Sequence, residues 1–223
     1  MRVVVLVSGG KDSALALYHV LKTGYEVKCL ASMIPLTEDS WMFHYPNIRL
    51  VDLFAEAAGF PIVKAETSGV KEKEVEDLKR LIEGLDVEGV VSGAIASEYQ
   101  KARIERISRQ LELECITPLW HIEPSDILKE ILDSKFEVII TGVYAYGFSE
   151  EWLGRKIDEY TVSALDELNR KYDVSIVGEG GEYETLVTDA PFFKKRIRIG
   201  EAEKVWKNQS GYYDIIKAEL QDK

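Results

Sequence analysis

Residues 3–13 of the chain read VVVLVSGGKDS, a β-branched apolar run followed by a turn that contains two glycines, a lysine and an aspartate. The residues that follow carry apolar side chains at helical spacing. Glycines let backbone N–H groups approach an anion, and the first turn of a helix adds a favourable dipole. The stretch therefore predicts a strand, a phosphate-binding turn and a helix, in that order.

Spacing excludes two common phosphate-binding motifs. A Walker A loop requires a glycine where Val5 stands and Ser or Thr where Asp12 stands. The dinucleotide fingerprint requires a third glycine where Ser13 stands. The remaining pattern, Ser-Gly-Gly-Lys-Asp-Ser, resembles the PP-loop of the N-type ATP pyrophosphatases, which cleave ATP between its α and β phosphates.

The PP-loop resemblance implies a nucleotide site at this turn. Residues 92–95, SGAI, follow a later predicted strand, which places Gly93 and Ala94 at the carboxyl edge of the sheet, where backbone could approach a nucleotide. The predicted ATP-binding residues are Ser8, Gly9, Gly10, Lys11, Asp12, Ser13, Gly93 and Ala94. Because the release of pyrophosphate requires stabilisation of negative charge, Lys11 and Asp12 are the predicted catalytic residues. An acid beside phosphates predicts a Mg²⁺ contact at Asp12, although the helix dipole alone also favours a first-turn acid.

The composition limits the class of protein. The chain has 223 residues and a formal net charge of −11, which disfavours a nucleic-acid partner because such binders usually carry a basic surface. No apolar run reaches the ~18 residues of a membrane span, and Met1 and Arg2 lead directly into the first strand, so we expect a cytoplasmic protein without a signal peptide. Cys29 and Cys115 have no metal-binding spacing and are predicted to be buried.

Strand and helix patterns alternate through the first half of the chain. The predicted strands occupy residues 3–7, 27–33, 62–66, 87–92 and 113–116. The predicted helices occupy residues 13–22, 48–58, 71–85 and 97–112. Asn47 is the predicted N-cap of the second helix. The alternation predicts an α/β fold, with a doubly wound parallel five-stranded sheet of the HUP/PP-loop ATPase type in residues 1–120.

The rhythm changes after residue 120. Helical patterns occupy residues 124–135 and 159–172, and strand patterns occupy residues 137–143, 195–199, 202–206 and 213–220. We expect residues 121–223 to form a smaller α+β domain that recognises the substrate.

Residues 178–185 read GEGGEYET, in which three glycines alternate with three glutamates. This composition suits neither a stable helix nor a central strand. The acids would repel a pyrophosphate but would suit a metal, ammonium or a quaternary amine, and Tyr183 could add a cation–π face. An acidic loop exposed to solvent is the alternative.

Two further segments have alternative interpretations. Lys101 and Arg103 either reach a ligand or form an exposed basic helix face. Residues 39–46 contain Trp41, Phe43, His44 and Tyr45 and form either a lid or a packing element between domains.

Several motifs occur together in a fixed order: residues 8–13, residues 92–95 with Tyr99 and Arg103, TPLW at 117–120, WLG at 152–154, and residues 179–185 with DAP at 189–191. In this combination the chain resembles the diphthine–ammonia ligase family, also called diphthamide synthetases, over essentially its whole length. The glutamate–glycine segment makes the resemblance specific, since the PP-loop alone indicates only the superfamily.

The resemblance implies an ATP-dependent ligase that converts diphthine on translation elongation factor two to diphthamide with ammonium, through an acyl-adenylate, and releases AMP and pyrophosphate. It implies these substrate-binding residues: Tyr99, Arg103, Glu179, Gly180, Gly181, Glu182, Tyr183, Glu184 and Thr185. It leaves a homo-oligomer open. A tRNA-modifying thiolase and a non-catalytic ATP- or AMP-binding module are the alternatives.

Overall fold

The first half of the chain forms a parallel sheet. The structure, a computed structural model, describes residues 1–35, 47–68 and 71–223, so the aromatic segment 39–46 lies outside the described residues. The strands are β1 (Arg2–Leu6), β2 (Glu26–Pro35), β3 (Ile62–Thr67), β4 (Gly89–Val91) and β5 (Glu114–Ile116). Their order in the sheet is β3-β2-β1-β4-β5, with every neighbouring pair parallel.

Helices cover both faces of this sheet. They are α1 (Lys11–Lys22), α2 (Val51–Ala58), α3 (Lys71–Glu83) and α4 (Glu98–Gln110). Alternate residues of β1 belong to different clusters: Val5 packs with α1 and α2, and Val4 packs with α3 and α4. The predicted doubly wound α/β fold is confirmed, because strand–helix alternation in a parallel sheet buries both faces.

The second half forms a four-stranded antiparallel sheet with two helices. The elements are α5 (Pro124–Asp133), β6 (Glu137–Val143), α6 (Glu159–Tyr172), β7 (Tyr183–Asp189), β8 (Lys195–Lys207) and β9 (Ser210–Asp222). The strand order is β7-β6-β9-β8. Along the part of the chain that the structure describes, no helix is long and apolar enough to cross a membrane.

The second sheet departs from the predicted strands at two places. The predicted strands at 195–199 and 202–206 are one strand, β8, whose pairing with β9 shifts register on both sides of Glu201. The sequence did not predict β7, because its first residues belong to the glutamate–glycine segment. β7 is at the edge of its sheet, where its only neighbouring strand is β6, a position that tolerates polar side chains better than a central one.

The two halves share one hydrophobic core. A single cluster contains Leu15 and Phe54 from the first half and Ile127 and Val187 from the second, all buried. The rings of Phe54 and Phe193 meet edge to face at 5.1 Å. Residue 120 lies between β5 and α5, but a boundary between independently folding units there stays a prediction.

Asn47 has a different role from the predicted one. Residues Ile48–Leu50 form a 3₁₀ turn, α2 begins at Val51, and Asn47 has a left-handed backbone with φ 63° and no capping hydrogen bond. Its side chain instead donates to the Tyr213 carbonyl at 2.8 Å and accepts from the Ile215 N–H at 3.0 Å, both on β9. The N-cap prediction was wrong because a partner 166 or more residues away took the amide group.

Asn47→Ala is expected to lower the free energy of unfolding in urea by about 2 kcal/mol, since it removes two buried hydrogen bonds of about 1 kcal/mol each. Asn208→Ala is the matched control, because Asn208 is also left-handed, with φ 51°, but is exposed in the turn between β8 and β9. Equal losses of stability in the two variants would show that the backbone conformation, and not the bonds to β9, accounts for the effect.

Candidate functional site

A cavity of about 760 Å³ opens at the carboxyl ends of β1 and β4. These neighbouring strands are where the order of the parallel sheet reverses, the usual ligand position in such sheets. The first half contributes the turn after β1, the segment after β4 and the first turn of α4. The second half contributes residues 178–181, residues 183–186 and side chains of β6 and β9.

Most of the predicted site residues meet in this cavity. Those that line it are Ser8, Gly10, Lys11, Asp12, Ser13, Gly93, Ala94, Tyr99, Glu179, Gly180, Gly181, Tyr183, Glu184 and Thr185. Gly9, Arg103 and Glu182 are not part of its lining. The two segments that the sequence singled out, residues 8–13 and 178–185, therefore face one space.

The turn at residues 8–13, called the phosphate loop below, has the expected strand–turn–helix form. Gly10 is the N-cap of α1. The Ser13 hydroxyl donates to the Gly10 carbonyl at 3.0 Å, and the Ser8 hydroxyl accepts from the Gly10 N–H at 3.4 Å. These bonds hold the turn in a compact form at the start of a helix, where an anion is favoured.

Strand β7 holds the phosphate loop from the other half of the chain. The Val187 N–H donates to the Gly9 carbonyl at 2.9 Å. The Lys11 N–H donates to the Thr185 hydroxyl at 3.1 Å. The end of the glutamate–glycine segment is therefore part of the framework of the phosphate loop.

The Lys11 side chain is 2% exposed and points toward the second half. Its ammonium group donates to Asp12 Oδ2 at 2.9 Å and to the Val177 carbonyl. It lies 5.2 Å from the centroid of the Tyr183 ring. A buried ammonium with these partners is a localised positive charge at the cavity wall.

Tyr183 is a structural partner of Lys11. The ring is 3% exposed, and the phenol donates to the Ile176 carbonyl at 2.7 Å. Burial raises the pKa of Tyr183 well above its usual value, and the negative charges of Asp12 and Glu182 raise it further. The phenol stays protonated, and its ring already faces the cation of Lys11.

Two of the three glutamates hold the segment in its conformation. Glu179 Oε1 accepts from the N–H groups of Ala96 and Ser97, at 2.8 and 2.6 Å, at the start of α4. The Glu182 carboxylate accepts from the N–H groups of Ser175 and Gly180, at 3.1 and 2.8 Å. The segment is thus a loop closed onto the first half, and Glu179 and Glu184, both half-buried, line the cavity.

The backbone conformation of this segment explains two of its glycines. Gly178 and Gly181 have φ values of 71° and 80°, in the left-handed region that glycine adopts without strain. They bracket Glu179 and let the loop turn back toward α4.

On α4, only Tyr99 of the predicted ligand contacts lines the cavity. The Arg103 guanidinium lies 3.3 Å from the centroid of the Tyr99 ring and donates to the Tyr99 carbonyl. Lys101 lies over the Trp120 ring at 4.2 Å and 3.4 Å from Glu105. Arg103 therefore packs against Tyr99 without lining the cavity itself.

One carboxylate oxygen of Asp12 is suited to bind a cation. Oδ2 pairs with Lys11, whereas Oδ1 is buried without a hydrogen-bond partner. Within the described ranges no group of three or more His, Cys, Asp or Glu residues is arranged to hold a metal ion. One carboxylate together with nucleotide phosphates is a usual way to hold Mg²⁺, so the donor set fits that ion.

Sequence reasoning missed several cavity residues. They are Ser97, Gln100, Thr141, Tyr144 and Tyr212. Thr141 and Tyr144 reach the cavity because of the position of β6, and Tyr212 reaches it because β9 pairs with β6. Ser97 and Gln100 lie at the start of α4 beside Tyr99, whereas Thr141, Tyr144 and Tyr212 reach the cavity through the pairing of distant strands, which no local motif marks.

Cys29 is buried as predicted, whereas the prediction was wrong for Cys115, which is only partly covered. Cys29 on β2 is buried, Cys115 on β5 is half-buried, and both pack in the cluster on the α3–α4 side of the sheet. Burial raises the pKa of both thiols. Neither lines the cavity, so neither is suited to act there as a thiolate nucleophile.

Gly93 is a point of close approach to the phosphate loop. A Cβ atom at this position would lie 2.8 Å from the backbone carbonyl of Asp12 and from the Ser13 nitrogen. Real Cβ atoms do not approach backbone atoms so closely, so the segment after β4 packs against α1 only because this residue is glycine.

Gly93→Ala is expected to displace the first turn of α1 and to weaken ATP binding about tenfold or more, as measured by calorimetric titration. Gly84→Ala is the matched control, because a Cβ at Gly84 meets no atom within 4 Å. Unchanged ATP affinity in Gly93→Ala would contradict a nucleotide site at this turn.

Two family models match the chain. Residues 1–115 match the diphthamide synthase N-terminal domain, and residues 123–220 match the diphthamide synthase C-terminal domain. Curated relatives named diphthine–ammonia ligase are similar over the full length of the chain. The Bos taurus protein is 34% identical and the Danio rerio protein 35% identical, with all of this chain and 94% and 98% of those proteins covered.

Solved structures give a weaker likeness. A predicted subunit of a tRNA methyltransferase from Methanocaldococcus jannaschii has a TM-score of 0.45 at 18% identity, covering 86% of this chain and 98% of that one. The U34-tRNA thiolase NcsA from Methanococcus maripaludis has a TM-score of 0.40 at 15% identity, covering 82% and 71%. Neither structure bears on the function of this chain at that similarity. The two domain matches and the full-length relatives do, and by them the chain belongs to the diphthamide synthase family.

Proposed function

We propose that the chain is a diphthine–ammonia ligase. One observation carries the proposal: the phosphate loop and the glutamate–glycine segment, which lie about 170 residues apart, line the same cavity. The curated relatives, which carry this activity in their names, support it. The substrates are ATP, ammonium and elongation factor two that carries diphthine.

The reaction has two steps. A carboxylate oxygen of diphthine attacks the α-phosphorus of ATP, the bond to the β-phosphate breaks, and pyrophosphate leaves. The lone pair of ammonia then attacks the acyl carbon, the bond from that carbon to the AMP oxygen breaks, and a proton passes to solvent. Both steps need negative charge to be stabilised on a phosphate leaving group.

The phosphate loop and Lys11 would hold the pyrophosphate. The Ser8 hydroxyl, which accepts from the Gly10 N–H, would donate to the phosphates, the N-terminus of α1 favours an anion, and the buried Lys11 ammonium adds positive charge. Gly93 and Ala94, in the segment that follows β4, would approach the nucleotide with their backbone. Because Lys11 is already fixed by Val177, little side-chain entropy is lost when the nucleotide binds.

Asp12 would hold a Mg²⁺ ion together with the phosphates. The support is the buried Oδ1 atom without a hydrogen-bond partner. When bound, the ion neutralises charge on the leaving pyrophosphate. Asp12 pairs with Lys11 through the other oxygen, so one carboxylate would orient both cations.

The acidic side of the cavity would receive the cationic part of diphthine. Glu184 lies on β7 and lines the cavity, and we assign it to the trimethylammonium group that diphthine carries. Phosphate at one end and an ammonium group at the other match the distribution of charge along the cavity wall.

Purified protein with ATP, ammonium and diphthine-bearing elongation factor two is expected to form AMP, pyrophosphate and the amide in equal amounts, and only when all three substrates are present. Asp12→Asn keeps the size of the side chain and is expected to lower kcat at least a hundredfold, in the range seen when groups that stabilise transition-state charge are removed. Formation of ADP, or no turnover by the unmodified sequence, would overturn the proposed function.

Glu184→Gln is expected to raise the KM for the modified factor about tenfold and to leave the KM for ATP unchanged, since it removes only the charge that faces the substrate cation. Glu151→Gln is the matched control, because it makes the same change in net charge at an exposed residue outside the cavity lining. The same rise in both variants would point to long-range attraction between the proteins and against a local contact.

A further inference from the structure

One row of residues crosses the second sheet at the cavity wall. Gly142 on β6 pairs with Glu184 on β7 at one side and with Tyr212 on β9 at the other. Directly paired residues project from the same face of a sheet, and neighbouring strands lie about 4.8 Å apart. Glu184 and Tyr212 therefore flank, about 10 Å from each other, a position that carries no side chain.

Tyr144 covers this position. A Cβ atom on Gly142 would lie 2.5 Å from the Tyr144 hydroxyl oxygen and 2.9 Å from two ring carbons. The hydroxyl end of the Tyr144 side chain thus lies over the glycine, and the Tyr144 N–H donates to the Glu182 carbonyl at 2.8 Å. Tyr144, Tyr212 and Glu184 all line the cavity.

The chemistry of this group suits one kind of ligand. A quaternary ammonium has no N–H to donate, so it is recognised by aromatic faces and by a negative charge. Tyr144, which covers Gly142, and Tyr212 supply the aromatic rings, and Glu184 supplies the carboxylate. Tyr183 precedes Glu184 in the sequence, but it is less suited to bind a quaternary ammonium because Lys11 lies over its ring.

We infer that Tyr144, Tyr212 and Glu184 form the subsite for the trimethylammonium group of the protein-bound substrate. The inference rests on the proposed function for the identity of that substrate. The subsite itself depends on the sheet register and the cavity wall, so it can be tested with a small cation. Tyr144 and Tyr212 are specificity residues here, and neither was predicted from the sequence.

The test is a titration of the full chain with tetramethylammonium chloride, followed by NMR of the protein, with sodium chloride and the neutral isostere 3,3-dimethylbutan-1-ol as separate probes. We expect saturable binding of tetramethylammonium and much weaker binding of the alcohol. Tyr212→Leu is expected to weaken the binding about tenfold, whereas Tyr212→Phe keeps the aromatic face and stays within about twofold.

Tyr160→Leu is the matched control, because Tyr160 is 81% exposed on α6 and does not line the cavity. Tetramethylammonium is also expected to inhibit turnover competitively with the modified factor and not with ATP. Failure of the unmodified sequence to bind the cation, or equal losses in Tyr212→Leu and Tyr212→Phe, would overturn the subsite. Cation binding without AMP formation would overturn the ligase assignment and leave the subsite standing.

Discussion

The phosphate loop depends on hydrogen bonds to a strand from the other half of the chain. The Gly9 carbonyl accepts from Val187 on β7, and the Lys11 N–H donates to the Thr185 hydroxyl. The phosphate loop follows β1, so the parallel sheet fixes the position of its first residue. The hydrogen bonds to β7 fix the rest of the loop against the antiparallel sheet. Since buried backbone groups must be paired, a displacement of either sheet would leave unpaired groups beside the site. The two sheets therefore place the proposed nucleotide site jointly.

The same constraint brings acidic residues close to a phosphate site without placing their charges against it. The Glu179 carboxylate accepts hydrogen bonds from backbone N–H groups at the start of α4. The Glu182 carboxylate accepts hydrogen bonds from backbone N–H groups of its own loop. Lys11 is drawn to this side by the Val177 carbonyl and the Tyr183 ring. The cavity thus has a phosphate-binding end and an acidic wall, which suits a ligase that uses ATP to activate the carboxylate of a cationic substrate.

Local sequence was a good guide where local forces decide the outcome. The five parallel strands and their helices follow from the spacing of apolar residues and from the turn residues between them. Gly24 and Gly59 follow α1 and α2 in the left-handed conformation. It failed where a distant partner competes. Asn47 was predicted to be an N-cap but bonds to β9, and Tyr183 was expected to offer a cation–π face to a ligand but is buried against Lys11. In both cases the partner comes from the other half of the chain.

The sequence by itself determined the α/β architecture, the phosphate loop and the second segment of interest, because each depends on residues within about one turn or strand of each other. Only the tertiary structure decided what each glutamate does and which tyrosines face the cavity. Glu184, Gly142 and Tyr212 form a row through the register of three strands that are far apart in the chain. Register is a property of long-range pairing, so no local pattern carries it.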